Sequence, residues 1–137
     1  MKKEDLRIGN LCYYKVEDSL DERKEWNEGN VIDALDLVAI SQCEIAKTKS
    51  NYEPIPLTAE WLKKFGAKNT IDVYWISISN LKAEFHFEVY EKEIVTTIKS
   101  DFCNLILDQI KYVHELQNLY YALTKDELVL AAAPTCQ

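Results

Sequence analysis

Two capped, amphipathic segments constrain the fold of this chain more than any other feature of its sequence. Residues 53–66 read Glu-Pro-Ile-Pro-Leu-Thr-Ala-Glu-Trp-Leu-Lys-Lys-Phe-Gly, and residues 110–124 read Ile-Lys-Tyr-Val-His-Glu-Leu-Gln-Asn-Leu-Tyr-Tyr-Ala-Leu-Thr. Each segment has a clear apolar face, which is typical of a helix that packs on a core. Neither carries a recognisable catalytic constellation. The two segments therefore specify an architecture more closely than they specify a chemistry.

The first segment predicts a short helix over residues 58–65. Thr58 stands at the N-cap position, after two prolines that keep the preceding chain extended. Gly66 is expected to end the helix, because glycine readily adopts the left-handed backbone of a helix C-terminus. This helix should turn three large side chains toward a core: Trp61, Leu62 and Phe65.

The second segment predicts a helix over residues 111–124. Val113, Leu116, Tyr120 and Leu123 follow the 3.6-residue period and should share its apolar face. We therefore expect this helix to cover a sheet formed by the preceding residues.

The residues between the two helices predict an antiparallel sheet. Residues 83–90 alternate apolar and polar side chains, the signature of a strand with one buried face. A strand before them runs through residues 73–78, and residues 94–99 return as a hairpin partner. Residues 102–110 and 128–130 are two further candidate strands.

The N-terminal part of the chain reads as short extended pieces around a charged excursion. Residues 11–16 are rich in Tyr and Val and predict a strand. Residues 17–30 are densely charged, and we expect them to form an exposed excursion. Residues 31–46 fit either a helix or a buried strand, and their β-branched content favours strands.

These elements together predict a single α+β domain over residues 1–137. It would contain short N-terminal strands, with a small SH3-like barrel as one arrangement, then the helix 58–65, the antiparallel sheet and the helix 111–124. Residues 131–137 are expected to be a frayed tail.

The charge and cysteine pattern excludes several classes of function. The formal net charge is −7, with 23 acidic and 16 basic residues, and no basic stripe of the kind that contacts phosphates is visible. Direct nucleic-acid binding and membrane association are therefore not expected. The four cysteines lack a Cys-x-x-Cys spacing, and the N-terminus lacks the apolar stretch of a signal peptide, so we expect reduced thiols in a cytoplasmic protein.

Neither histidine predicts a catalytic or metal site. His114-Glu115 begins like a His-Glu-x-x-His zinc motif, but Asn118 occupies the second histidine position, and His114 is expected near the edge of its helix. His86 alternates with Glu84 and Glu88 on a strand. That pattern fits an acid–base group but fits a solvated strand face better. We predict no catalytic residue, no cofactor and no metal.

Two aromatic residues are the candidate partner-binding residues. Tyr14 and Trp26 lie beside or within the charged excursion, away from the two helices. Tyr and Trp are enriched at the centres of protein interfaces. The alternative for most of the chain's aromatics is a place in the core or at its rim.

Three blocks of sequence resemble an uncharacterised family of small proteins encoded by phages and prophages of gut-dwelling bacteria. They are Asp-Leu-Arg-Ile-Gly-Asn-Leu at residues 5–11, the block Pro-Ile-Pro-Leu-Thr-Ala-Glu-Trp-Leu-Lys-Lys-Phe-Gly at 54–66, and residues 110–124. Family members often have Gly where Lys125 stands here. The resemblance implies a phage accessory protein acting in the host cytoplasm. It assigns no catalytic residue.

We therefore expect a non-enzymatic binding module that acts on a host protein. The first alternative is a small-molecule-sequestering protein or minor hydrolase with a pocket near His86. The second is an acidic mimic of nucleic acid that occupies a basic groove. Homodimerisation stays open.

Overall fold

The computed structural model describes residues 5–14, 30–47, 52–78, 81–91, 93–107 and 110–131. These residues form helices and antiparallel sheets, so the predicted α+β class is confirmed. The chain divides into two compact units. The first consists of Met1–Pro56 and Tyr112–Leu119, and the second of Leu57–Lys111 and Tyr120–Gln137.

The first unit contains a small open sheet and a helix. Strand β1 (Leu11–Tyr14) pairs antiparallel with both β2 (Asn30–Val31) and β3 (Tyr52–Glu53). The strand predicted at residues 11–16 is thus confirmed for its described part. The described strands of this unit do not close into a barrel, so the SH3-like arrangement is not found among them.

Helix α1 (Ala34–Ala46) corrects the preference for strands over residues 31–46. The Asp33 side chain accepts the Asp36 N–H, and the Asp36 side chain accepts the Asp33 N–H, each at 2.9 Å. This reciprocal capping box satisfies two amides that a helix start leaves without partners. The helix then buries Ile40 in the core of the first unit, together with a small set of apolar residues: Leu6, Cys12 and Ile32.

The second unit contains a five-stranded antiparallel sheet, which confirms the predicted run of hairpins. Its strands in spatial order are β4 (Lys68–Asn69), β5 (Val73–Ile78), β6 (Ala83–Val89), β7 (Ile94–Ser100) and β8 (Asn104–Leu107). Each pairs with its sequence neighbour, so the sheet is a meander.

The alternation read along β6 gives the sheet its two faces. Phe85 and Phe87 are fully buried, whereas the residues between and beside them are only partly buried. The Tyr120 ring lies 6.5 Å from the Phe85 ring, centroid to centroid. The aromatic face is thus the core face, and His86 lies on the opposite one, as the pattern predicts.

Helix α2 (Ala59–Lys64) confirms the most sharply predicted element. The Thr58 hydroxyl accepts the Trp61 N–H at 3.4 Å, and Gly66 follows with a φ of +81°. The Gly66 N–H donates to Lys63 O, and the next amide donates to Leu62 O, which is the hydrogen-bond pattern of a Schellman motif. All three side chains expected in the core are buried: Trp61, Leu62 and Phe65.

Helix α3 (Val113–Thr124) is confirmed, but its buried face differs from the predicted one. Val113 and Leu116 are buried as expected, whereas Leu123 is 36% exposed. His114 is the second residue of the helix, as expected near its edge, and is only 4% exposed. Its ring stacks on Tyr112, with centroids 5.8 Å apart and planes 11° apart.

The C-terminal strand expected at residues 128–130 is not formed. Leu128 is buried, but the segment follows α3 without pairing as a strand. Its last described residue, Ala131, donates its N–H to Lys64 O at 2.7 Å, so the segment is tied to the end of α2 instead. Residues 17–29, which include Trp26, and the tail beyond Ala131 lie outside the described residues.

Candidate partner-binding site around Tyr14

Tyr14 forms an aromatic corner with a residue that is distant in sequence. It is the last residue of β1, and the strand register places it directly opposite Tyr52 of β3. The two ring centroids are 5.0 Å apart and the ring planes are inclined by 58°. Such a tilted pair is a favourable arrangement of aromatic rings. Both side chains are half-buried.

Asp36 joins this corner from the first turn of α1. The Tyr52 hydroxyl donates to Asp36 Oδ1 at 2.5 Å, while the Asp33 N–H donates to Asp36 Oδ2. Two elements therefore hold the carboxylate, the strand β3 through its tyrosine and the helix start through its capping box. Its position is fixed before any ligand arrives, which lowers the ordering cost of binding.

The hydrogen bond between Tyr52 and Asp36 also fixes their charge states. Burial and the bond to Asp36 raise the pKa of Tyr52 far above its ordinary value. Burial works against ionisation of Asp36, but the hydrogen bonds from the Tyr52 hydroxyl and the Asp33 N–H outweigh it and lower the pKa of Asp36. At neutral pH the pair is therefore a neutral phenol that donates to an ionised carboxylate.

A cavity of about 330 Å³ opens at this corner. Four of the described side chains line it: Tyr14, Val31, Asp36 and Tyr52. The volume lies at the small end of ligand sites, suited to one side chain or a small organic group. Its described lining combines two aromatic rings, one aliphatic group and one carboxylate, and it contains no cationic side chain.

Cys12, two residues before Tyr14, belongs to the core rather than to the cavity. It is fully buried. Burial, and in second place the negative charge of Asp36, raise the pKa of the Cys12 thiol to about 12. Because the thiolate is the reactive form, this thiol is unsuited to nucleophilic chemistry at neutral pH.

A second concave feature surrounds His86 on the polar face of the sheet. It is a groove of about 450 Å³ whose lining is mostly polar: Ser77, Leu81, Lys82, Ala83, Glu84, His86, Lys99, Ser100 and Asp101. His86 Nε2 lies 3.1 Å from Glu84 Oε2, and the His86 ring stacks on Trp75 with centroids 6.3 Å apart. Lys99 of β7 stands directly opposite Glu84. The groove thus combines cationic, anionic and hydroxyl groups.

The described residues show no metal site. They contain no group of three or more His, Cys, Asp or Glu side chains placed to hold a metal ion. The His114 Nδ1 atom is buried without a hydrogen-bond partner, and burial lowers the pKa of this histidine. No described helix has the length and apolar character to cross a membrane.

Of the described residues that line the Tyr14 cavity, only Tyr14 was predicted from the sequence as a partner-binding residue. Asp36 carried a readable signal, because Asp33 and Asp36 stand at the two positions of a capping box. Tyr52 carried none, since it lies in a mostly polar stretch between the predicted elements. The other predicted partner-binding residue, Trp26, lies outside the described residues.

Comparison with known proteins adds no family to this geometry. No protein-family model matches the chain, and neither the curated proteins nor the solved structures give a match. The chain is an α+β protein, and its first unit contains a cavity lined by two tyrosine rings and one carboxylate.

Proposed function

We propose that this chain is a phage or prophage accessory protein that acts as a non-enzymatic binding module on a host protein in the host cytoplasm. The observation that carries the proposal is the cavity at Tyr14, with its paired aromatic rings and its fixed, ionised carboxylate. The setting comes from the sequence blocks that resemble the phage family.

The chemistry of the cavity supports recognition. Tyrosine supplies a large contact area at a low cost in side-chain entropy, which is why it is enriched in binding surfaces. A carboxylate that is already held by two hydrogen bonds adds orientation to that contact area. Exposed apolar residues on α1, among them Leu35 and Val38, extend the surface that a partner could cover.

The test is Tyr14-dependent capture of a host protein. Tagged wild-type protein, Tyr14→Ala and Tyr13→Ala are purified gently from lysate of a bacterial host, and bound proteins are quantified by native mass spectrometry. Tyr13 is the matched control, because it is the preceding residue on β1, is also half-buried, and points to the opposite face of the strand.

We expect one host protein at fixed stoichiometry with wild-type chain and with Tyr13→Ala. Tyr14→Ala should lower its recovery at least tenfold while the urea unfolding midpoint shows that the variant remains folded. Trp26→Ala is expected to weaken capture as well. Equal recovery with wild type and Tyr14→Ala would refute the role of the cavity.

The groove at His86 favours a second candidate function, that of a small-molecule-sequestering protein or minor hydrolase. Its supporting observation is the polar groove itself, in which a carboxylate orients His86 and two lysines line the same space. Native mass spectrometry distinguishes this candidate from the first. A bound mass of a few hundred daltons that is present in Tyr14→Ala and lost in His86→Ala would support it, and a bare chain in every variant would count against it.

A further inference from the structure

The Tyr14 cavity has the composition of a cation site. Its described lining contributes one negative charge and two aromatic rings. The faces of aromatic rings attract cations, and a nearby carboxylate adds a direct charge–charge attraction. An anionic ligand would find no complementary charge among these four residues.

We propose that this cavity binds the ammonium head of a lysine side chain presented by the partner protein. The inference rests on the proposed function, because it names the chemical group through which a host protein would engage the binding module. The net charge of −7 also favours a partner that exposes basic residues, because opposite charges attract across an interface.

The hydrogen bonds of Asp36 favour an ammonium group over a guanidinium group. Oδ1 already accepts the Tyr52 hydroxyl and Oδ2 accepts the Asp33 N–H. A carboxylate has about four lone-pair sites, so each oxygen keeps capacity for about one more donor. A compact ammonium needs only one of these remaining sites, whereas the planar fork of arginine needs both of them at once, along the same edge of the carboxylate.

The ring geometry provides the remaining contacts. Because the Tyr14 and Tyr52 planes are inclined by 58°, the rings form two walls of a corner rather than a sandwich. A lysine head placed in the corner faces aromatic carbon on two sides and the carboxylate on a third. The aliphatic stem would then contact Val31, which is exposed at the cavity rim.

The test uses n-butylammonium as a lysine side-chain probe and 1-butanol as its neutral analogue. Each is titrated into the full chain and followed by two-dimensional proton–nitrogen NMR. We expect butylammonium to shift the amide signals of Tyr14, Asp36 and Tyr52 with millimolar affinity. We expect 1-butanol to bind at least tenfold more weakly.

Three variants locate the binding. Asp36→Asn should weaken butylammonium binding at least tenfold, and Tyr14→Leu should weaken it severalfold. Tyr13→Leu, which leaves the cavity intact, should bind like wild type. If Asp36→Asn destabilises helix α1, the Tyr14→Leu variant tests the cavity instead, because it leaves both hydrogen bonds of Asp36 in place.

Equal affinity for butylammonium and 1-butanol would overturn the inference, as would shifts spread over acidic residues elsewhere. The binding-module proposal and the lysine inference can be refuted independently of each other. If Tyr14→Ala loses the host protein but wild type does not bind butylammonium, the binding module stands and the lysine inference falls. If Tyr14→Ala keeps the host protein, the binding function of the cavity falls whatever the small probes show.

Discussion

At the residue scale, Lys125 holds a backbone conformation that suits glycine better. Its φ is +62°, and its N–H donates to Tyr121 O at 2.7 Å, which is the αL end of helix α3. A non-glycine residue in this region costs about 1–2 kcal/mol, partly offset by the greater freedom of an unfolded glycine. Lys125→Gly should therefore raise the free energy of unfolding by about 0.5–1 kcal/mol in urea titrations.

Lys64→Gly is the control for that substitution. Lys64 is the last residue of α2, and its Nζ lies 4.2 Å from the centroid of the Trp61 ring, so glycine there should lower stability by about 1 kcal/mol. Stabilisation by both variants, or by neither, would contradict the backbone explanation.

His114 should make the protein less stable in mild acid. Burial lowers its pKa in the folded chain below the ordinary value of about 6.5. Above that pH His114 is uncharged in both the folded and the unfolded chain, so its contribution to the free energy of unfolding is fully present. As pH falls below it, the unfolded chain takes up a proton that the folded chain does not, so stability is lost down to the lowered folded pKa.

The measurement is the free energy of unfolding of wild type and His114→Gln at pH 7.5 and pH 5.5. The wild type should lose more stability than the variant between the two pH values. An identical loss in both chains would show that other groups account for the pH dependence.

At the element scale, the capping box determines where helix α1 begins. Asp33→Ala removes the side-chain acceptor of the Asp36 N–H and should cost about 1 kcal/mol of stability. Asp33→Asn keeps an acceptor at that position and should cost much less. Circular dichroism and urea unfolding measure both, and equal losses in the two variants would argue against a capping role.

The contrast between α1 and α2 explains what the sequence could predict. Helix α2 was predictable because Thr58 at its N-cap and Gly66 after its last turn each signal a boundary of the helix. Helix α1 carries a weak apolar pattern with only Ile40 fully buried, so short-range periodicity could not separate helix from strand. The deciding feature was the Asp33–Asp36 pair, which acts through two hydrogen bonds rather than through hydrophobicity.

At the scale of the whole molecule, the two edges of the five-stranded sheet differ. Strand β4 is two residues long and carries Lys68, whereas β8 is four residues long, uncharged, and exposes Leu105 and Ile106. Bare apolar edges pair with other chains. We therefore expect concentration-dependent self-association, measured by light scattering, that Ile106→Lys reduces. Ile71→Lys, at an exposed apolar site away from β8, should leave it unchanged, and equal effects of both would contradict an edge contact.

The candidate site also depends on contacts between distant parts of the chain, so the sequence revealed only part of it. Tyr14 could be selected from its surroundings in the chain. Its pairing with Tyr52 depends on β1 meeting β3 across a long separation, and no local pattern encodes that pairing. The alternation along β6 needed no such contact, so the two faces around His86 were predicted correctly.

The most direct test of the binding account is hydrogen–deuterium exchange of the chain with and without its captured host partner. The account predicts slower exchange in residues 11–14, 31–37 and 52–53, which surround the Tyr14 cavity. Unchanged exchange there, with protection confined to residues 81–86 and 99–101 around His86, would contradict it and move the binding site to the polar face of the sheet.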